Sequence, residues 1–142
     1  MNPLITPCQC SGTVRYIHLL CLKTWLSKQI KASINDFSVT ISWKPLFFEM
    51  CKANYKYRIY LDNQKFYTVD IPKPEKPYIV LEVMKKKAKE DCKVFKFITF
   101  RHKDRINIGR KKDVDVKISD DISVSRIHAT LKYRPETREF IL

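Results

Sequence analysis

The chain has 142 residues, with 28 Lys and Arg against 15 Asp and Glu, and a net charge of +13 at pH 7. That length fits two small modules, and no apolar run approaches the ~20 residues of a membrane-spanning helix. Five cysteines without a secretory signal argue for a reducing intracellular compartment, cytoplasmic or nuclear, and against a disulfide framework.

The N-terminal stretch holds Cys8-x-Cys10, then His18 and Cys21. Thiolates and imidazoles in close pairs are the ligands tetrahedral zinc selects. Leu19, Leu22, Leu26 and Ile30 recur at helical spacing, so the pattern predicts a helix whose start places His18 and Cys21 on one face. The plain alternative is a set of buried free cysteines with a core histidine. Gly12 follows the Cys-x-Cys turn, a position suited to unusual backbone angles.

With its flanks, NPLITPCQCSGTVRYIHLLCLKTWL resembles the second half of the RING-CH (RING-variant) zinc finger, a module of ubiquitin ligases. The resemblance implies a small α+β finger in which His18 and Cys21 serve one zinc, and Cys8, Cys10 and Cys51 serve the other. It also implies a first Cys-x-x-Cys pair, which would precede Met1, and a last pair that here reads Phe48-Glu49-Met50-Cys51, with phenylalanine in a ligand position. One site thus keeps two ligands and the other three. A rearranged single site of Cys8, Cys10, His18 and Cys21 is the fallback. In similar fingers a tryptophan just past the helix-borne ligands docks the ubiquitin-conjugating enzyme, which points to Trp25, with Ile5 and Pro7 nearby. A core role for Trp25 beside Leu22 and Leu26 stands equally open.

Further along, Tyr55, Tyr57, Ile59 and Leu61 alternate with polar residues, and Asp62-Asn63-Gln64 offers a turn into Tyr67, Val69 and Ile71. Three prolines in the stretch from Asp70 to Pro77 predict an extended spacer. The expected organisation is a partial RING-CH finger over 1–55, a hairpin and Pro-rich linker over 56–77, and a second module over 78–142.

That second module begins with strand candidates at Tyr78 to Met84 and Val94 to Arg101, separated by the charged stretch from Lys85 to Asp91. Alternation continues in Arg105 to Ile108, in Val114, Val116 and Ile118, in Ile127, Ala129, Leu131 and Tyr133, and in Glu139 to Leu142. Short strands at this spacing predict a β-sandwich. Within them stand Gly109-Arg110 and Ser125-Arg126-Ile127-His128. A guanidinium donates paired hydrogen bonds to phosphate oxygens, and a serine hydroxyl and second arginine complete the cradle.

This pattern resembles the forkhead-associated (FHA) domain, an all-β sandwich that binds phosphothreonine peptides. The resemblance implies that Arg110 and Ser125 hold the phosphate, that Arg126 adds charge, and that Gly109 and His128 are structural. It places the next family marker, an Asn-Gly turn, beyond Leu142, and so leaves an open sheet edge and a bare core face. The basic block from Lys85 to Lys112 supports anion binding, whether of a phosphopeptide or of nucleic acid. The combined reading is a piece of a modular ubiquitin-ligase-like protein whose finger recruits a ubiquitin-conjugating enzyme and whose FHA part binds phosphothreonine targets. A non-catalytic phosphopeptide-binding or nucleic-acid-binding module is the alternative.

Overall fold

The computed structural model describes residues 2–84, 92–119 and 121–142. Lys85, Lys86, Lys87 and Lys89 of the basic block therefore lie outside the described residues. The chain divides into two units, the first comprising Met1–Lys31, Ile41–Pro72 and Met84–Val94, the second Ala32–Thr40, Lys73–Val83 and Phe95–Leu142.

In the first unit a short strand, β1 (Leu4–Ile5), pairs antiparallel with β2 (Ile17–His18), and helix α1 (Leu19–Gln29) follows directly. Leu19, Leu22 and Leu26 fall on one helix face and are buried with Ile5 and Val69. An isolated helix of 11 residues is marginal in water. Burial, at about 1.5–3 kcal/mol per large aliphatic side chain, supplies what helix propensity does not. The first-turn amides are capped from a distance: Leu19 N–H donates to the Pro3 carbonyl at 2.9 Å and Leu20 N–H to Asn2 Oδ1 at 2.8 Å.

His18 is not helical. Its backbone is extended, with φ −68° and ψ 139°, because it pairs with Leu4 in the β1–β2 ladder. The shared helix face expected for His18 and Cys21 is therefore replaced by a strand residue followed by one in the first helical turn.

A hairpin closes the unit, with β5 (Arg58–Leu61) paired to β6 (Gln64–Tyr67). Asp62 and Asn63 both take positive φ, 47° and 61°, as a two-residue type I′ loop requires. Short polar side chains tolerate that conformation better than most.

Two four-stranded sheets supply the strands of the second unit. One has β3 (Lys31–Ile34), β4 (Ser38–Trp43), β7 (Tyr78–Val83) and β8 (Lys93–Thr99) in the order β3-β4-β8-β7. The other has β9 (Arg105–Gly109), β10 (Val116–Lys117), β11 (Ala129–Arg134) and β12 (Glu139–Ile141) in the order β10-β9-β11-β12. Ile98 and Phe100 pack against Ile106, Ile108, Val116 and Leu131 to form the buried core. This is the sandwich that the alternating pattern predicts.

Three details depart from the expected layout. Residues 32–40, read with the finger, join the second unit: Asn35 Oδ1 accepts the amides of Phe37 and Ser38, and Thr99 N–H donates to the Phe37 carbonyl at 3.0 Å. Phe37 packs on the core, covering part of the face expected to be bare. The segment 73–77 is bonded and not a free spacer, since Thr99 Oγ1 donates to the Glu75 carbonyl at 2.8 Å and Phe100 N–H to that of Pro77 at 2.9 Å. Finally, Ile127 is 57% exposed, because strand β11 starts only at Ala129.

That contrast sets a test. Ile106→Ala, at a fully buried position, should destabilise the second unit by about 2–5 kcal/mol, whereas Ile127→Ala should cost less than about 0.5 kcal/mol. Urea unfolding of both variants measures the difference; equal losses would contradict the assigned burial.

Candidate metal centre and phosphate-binding loop

Cys8 and Cys10 lie in the loop that leaves β1, while Cys51 lies far downstream on a tight turn. That turn is closed by an antiparallel bridge between Phe47 and Asn54, by Phe48 N–H donating to the Ala53 carbonyl at 2.9 Å, and by Lys52 N–H donating to the Phe48 carbonyl at 2.8 Å. Lys52 takes a left-handed backbone, φ 56°, to make it. The result brings the three sulfurs of Cys8, Cys10 and Cys51 within 4.8 Å of one another.

Crowded thiols oppose each other's ionisation. Burial, reinforced by the Cys51 and Cys8 thiols, pushes Cys10 up to about 12. The Ala53 amide, joined by that of Gln9, donates to the Cys51 sulfur and holds its thiol below the ordinary value in spite of burial. Burial first, then the cysteine charges, pushes the neighbouring Tyr55 phenol up to about 12. A cluster that admits one thiolate and resists the next suits a cation, which deprotonates coordinating thiols outright. The donor set is all sulfur, so it fits a soft or borderline metal ion.

Cys51 thus joins Cys8 and Cys10. His18 and Cys21 do not enter the cluster, and the rearranged four-residue site is not assembled. Phe48 offers no ligand atom; its ring is edge-on to Tyr55 at 6.1 Å, and Tyr55 packs on Trp25 at 5.7 Å. Of the three docking candidates, Ile5 and Pro7 are buried and offer no surface to a partner. Trp25 is 39% exposed and flanked in the same unit by exposed Leu20. It packs and presents surface at once. The capping role of Asn2 escaped the sequence reading, since its partner lies 18 residues away.

In the second unit, β9 pairs antiparallel with β11, placing Ile108 opposite Ala129, and pairs parallel with β10, placing Ile108 beside Val116. These ladders carry the Gly109-Arg110 end of β9 to the loop before β11. Arg110 N–H donates to the Ser125 carbonyl at 3.0 Å, Lys111 N–H to that of Arg126 at 3.1 Å, and His128 N–H to that of Ile108 at 2.8 Å. Ser125 N–H in turn donates to His128 Nδ1 at 3.3 Å. Arg110, Ser125 and Arg126 are all exposed, so their charge and hydroxyl face solvent on one ledge. His128 braces the loop by its ring and its amide. Asp115, missed in the sequence as a plain surface acid, accepts Asn107 N–H at 2.8 Å and pairs with Lys103.

Residues 1–35 match the family model of the RING-variant domain, and residues 106–142 match that of the FHA domain. The chain joins a RING-variant segment to an FHA segment. Among curated proteins, human E3 ubiquitin-protein ligase MARCHF1 is 39% identical over 49 residues, covering 32% of this chain and 17% of that protein. Rat E3 ubiquitin-protein ligase MARCHF7 is 37% identical over 51 residues, 36% of this chain and 6% of its own length. The rat protein named probable E3 ubiquitin-protein ligase MARCHF10 matches equally, at 37% over 51 residues. The chain therefore spans less than a fifth of the length of these relatives. No solved structure gives a significant match. No helix among the described residues is long and apolar enough to cross a membrane.

The phosphate loop depends on a close backbone approach at Gly109. A Cβ there would lie 2.2 Å from the Arg126 carbonyl oxygen and 2.8 Å from its carbon, neither of which can move without breaking the loop bonds. Gly109→Ala should destabilise the second unit by about 1–3 kcal/mol, the cost of forcing atoms into an occupied space. Thermal unfolding against the parent chain reads this; an unchanged midpoint would contradict the packing.

Proposed function

We propose that this chain couples a RING-variant module, which recruits a ubiquitin-conjugating enzyme, to an FHA module that selects phosphothreonine-bearing proteins. The observation that carries the reading is the shared ledge of Arg110 and Ser125, locked by backbone bonds inside the segment matching the FHA family. The ligase half is supported by the printed activity of the relatives and by the three-sulfur cluster beside an exposed Trp25. A reducing cytoplasmic or nuclear setting belongs to the same reading, supported by five free cysteines.

A bound zinc would tie the loop of Cys8 and Cys10 to the turn of Cys51, a structural role with no nucleophile to supply. The chain's own residues then do the work of orientation. Trp25 presents its ring from helix α1, steadied on Tyr55, which ranks against the cysteine cluster on the far side of the same turn. Transfer of this kind works by orientation, which needs a rigid platform under Trp25. At the ledge, Arg110 grips two phosphate oxygens and Ser125 a third, while Arg126 supplies longer-range attraction.

Two outcomes follow for solution work. A phosphothreonine peptide should bind better than its plain counterpart, and Arg110→Ala should weaken it by about tenfold or more, with a smaller loss for Arg126→Ala. Calorimetric titration of matched peptides checks this; equal affinity for both peptides, with a steep fall in salt for any polyanion, would favour the nucleic-acid module instead. In autoubiquitination assays with a panel of conjugating enzymes, Trp25→Ala should remove the residual activity while leaving the unfolding midpoint nearly in place. Strong activity retained in that variant would sink the docking role.

A further inference from the structure

We propose that Cys8, Cys10 and Cys51 form a three-coordinate thiolate site suited to a soft monovalent cation of the copper(I) class, with zinc held only as an incompletely coordinated ion. The inference rests on the reading that this cluster holds a metal, and specifies which metal chemistry its geometry completes. Zinc in structural sites takes four protein ligands; with three it leaves a position for water. Here the position three residues before Cys51, where the RING-CH resemblance implies a fourth cysteine, holds Phe48, whose ring packs edge-on against Tyr55 and offers no ligand atom. Among the described residues no His, Asp or Glu joins the three sulfurs.

A copper(I) ion has a filled d shell and a single charge, and two or three thiolates in a plane satisfy it. Soft thiolate donors select it. With metal–sulfur bonds of about 2.3 Å, a planar centre sets sulfur–sulfur spacings of roughly 4 Å. The observed sulfurs, all within 4.8 Å, need little movement to reach that spacing. A plane has no fourth corner, so phenylalanine in place of a cysteine at position 48 costs it no ligand, whereas tetrahedral zinc loses one. The Ala53 and Gln9 amides donating to Cys51 stabilise the excess negative charge that three thiolates keep around a monovalent ion.

The test uses the full reduced chain under anaerobic conditions, titrated separately with zinc and with copper(I) buffered by bathocuproine disulfonate. Expected is one tight copper equivalent whose X-ray absorption reports three sulfurs and no lighter ligand, lost in Cys51→Ser and kept in Cys92→Ser. Phe48→Cys should tighten zinc by about a hundredfold while moving copper(I) by less than about threefold, since only zinc needs the fourth sulfur. Phe48→Leu, which changes the ring without adding a ligand, should leave both affinities near the parent values. A parent chain that holds zinc as tightly as Phe48→Cys, or copper bound through other than three sulfurs, overturns the proposal while leaving the metal site standing. Binding of neither metal overturns the metal-site reading itself.

Discussion

Mutual repulsion among closely placed sulfurs is the constraint on which the first unit's chemistry turns. Two come from one loop and the third from a distant turn, and they meet only because the β1–β2 ladder, helix α1 and the bridged turn at 47–54 converge. Burial and the neighbouring thiols push the Cys10 thiol up, while the amides aimed at Cys51 hold that thiol down. A metal bound there would join the segments that carry the sulfurs, and its binding energy would become folding energy. The same turn carries Phe48, whose ring exchanges coordination for aromatic packing and thereby ties Tyr55 and Trp25 to the cluster's surroundings.

The second unit solves a different problem, holding mobile, exposed, charged side chains in register. It does so with backbone alone: carbonyls of Ser125 and Arg126 accept the amides of Arg110 and Lys111 across the loop. Long arginines keep their freedom while their Cα positions do not, which would lower the ordering cost of the proposed phosphate contact. Gly109 makes the approach sterically feasible. The exposed Lys111–Asp113 pair adds little by comparison.

Much of this was legible in residue order because the signals are local. Helical spacing of Leu19, Leu22 and Leu26 marks α1; alternation in 129–133 marks β11; Asp62-Asn63 marks a turn that needs two left-handed residues. Ile127 continues the same alternation yet stays outside, since the strand yields to a loop required by the Ser125–Arg110 bond. Periodicity is blind to such long-range vetoes. The prolines of 72–77 argue against helix, but that is equally compatible with a free spacer and with a segment bonded to a neighbouring strand, as Glu75 and Pro77 are to Thr99 and Phe100.

By itself the sequence determined the kinds of chemistry present: thiols and an imidazole at metal-like spacing, a Gly-Arg and Ser-x-x-His pattern, and a strongly basic balance. It also determined the local elements, whose hydrogen bonds close within a few residues. The RING-CH resemblance had already grouped Cys51 with Cys8 and Cys10, as the structure does; only the tertiary structure decided that Ile5 is core and that residues 32–40 belong with the sandwich. Those outcomes depend on which distant segments share a buried surface, and burial free energy is a property of the assembled whole that no neighbouring residues encode.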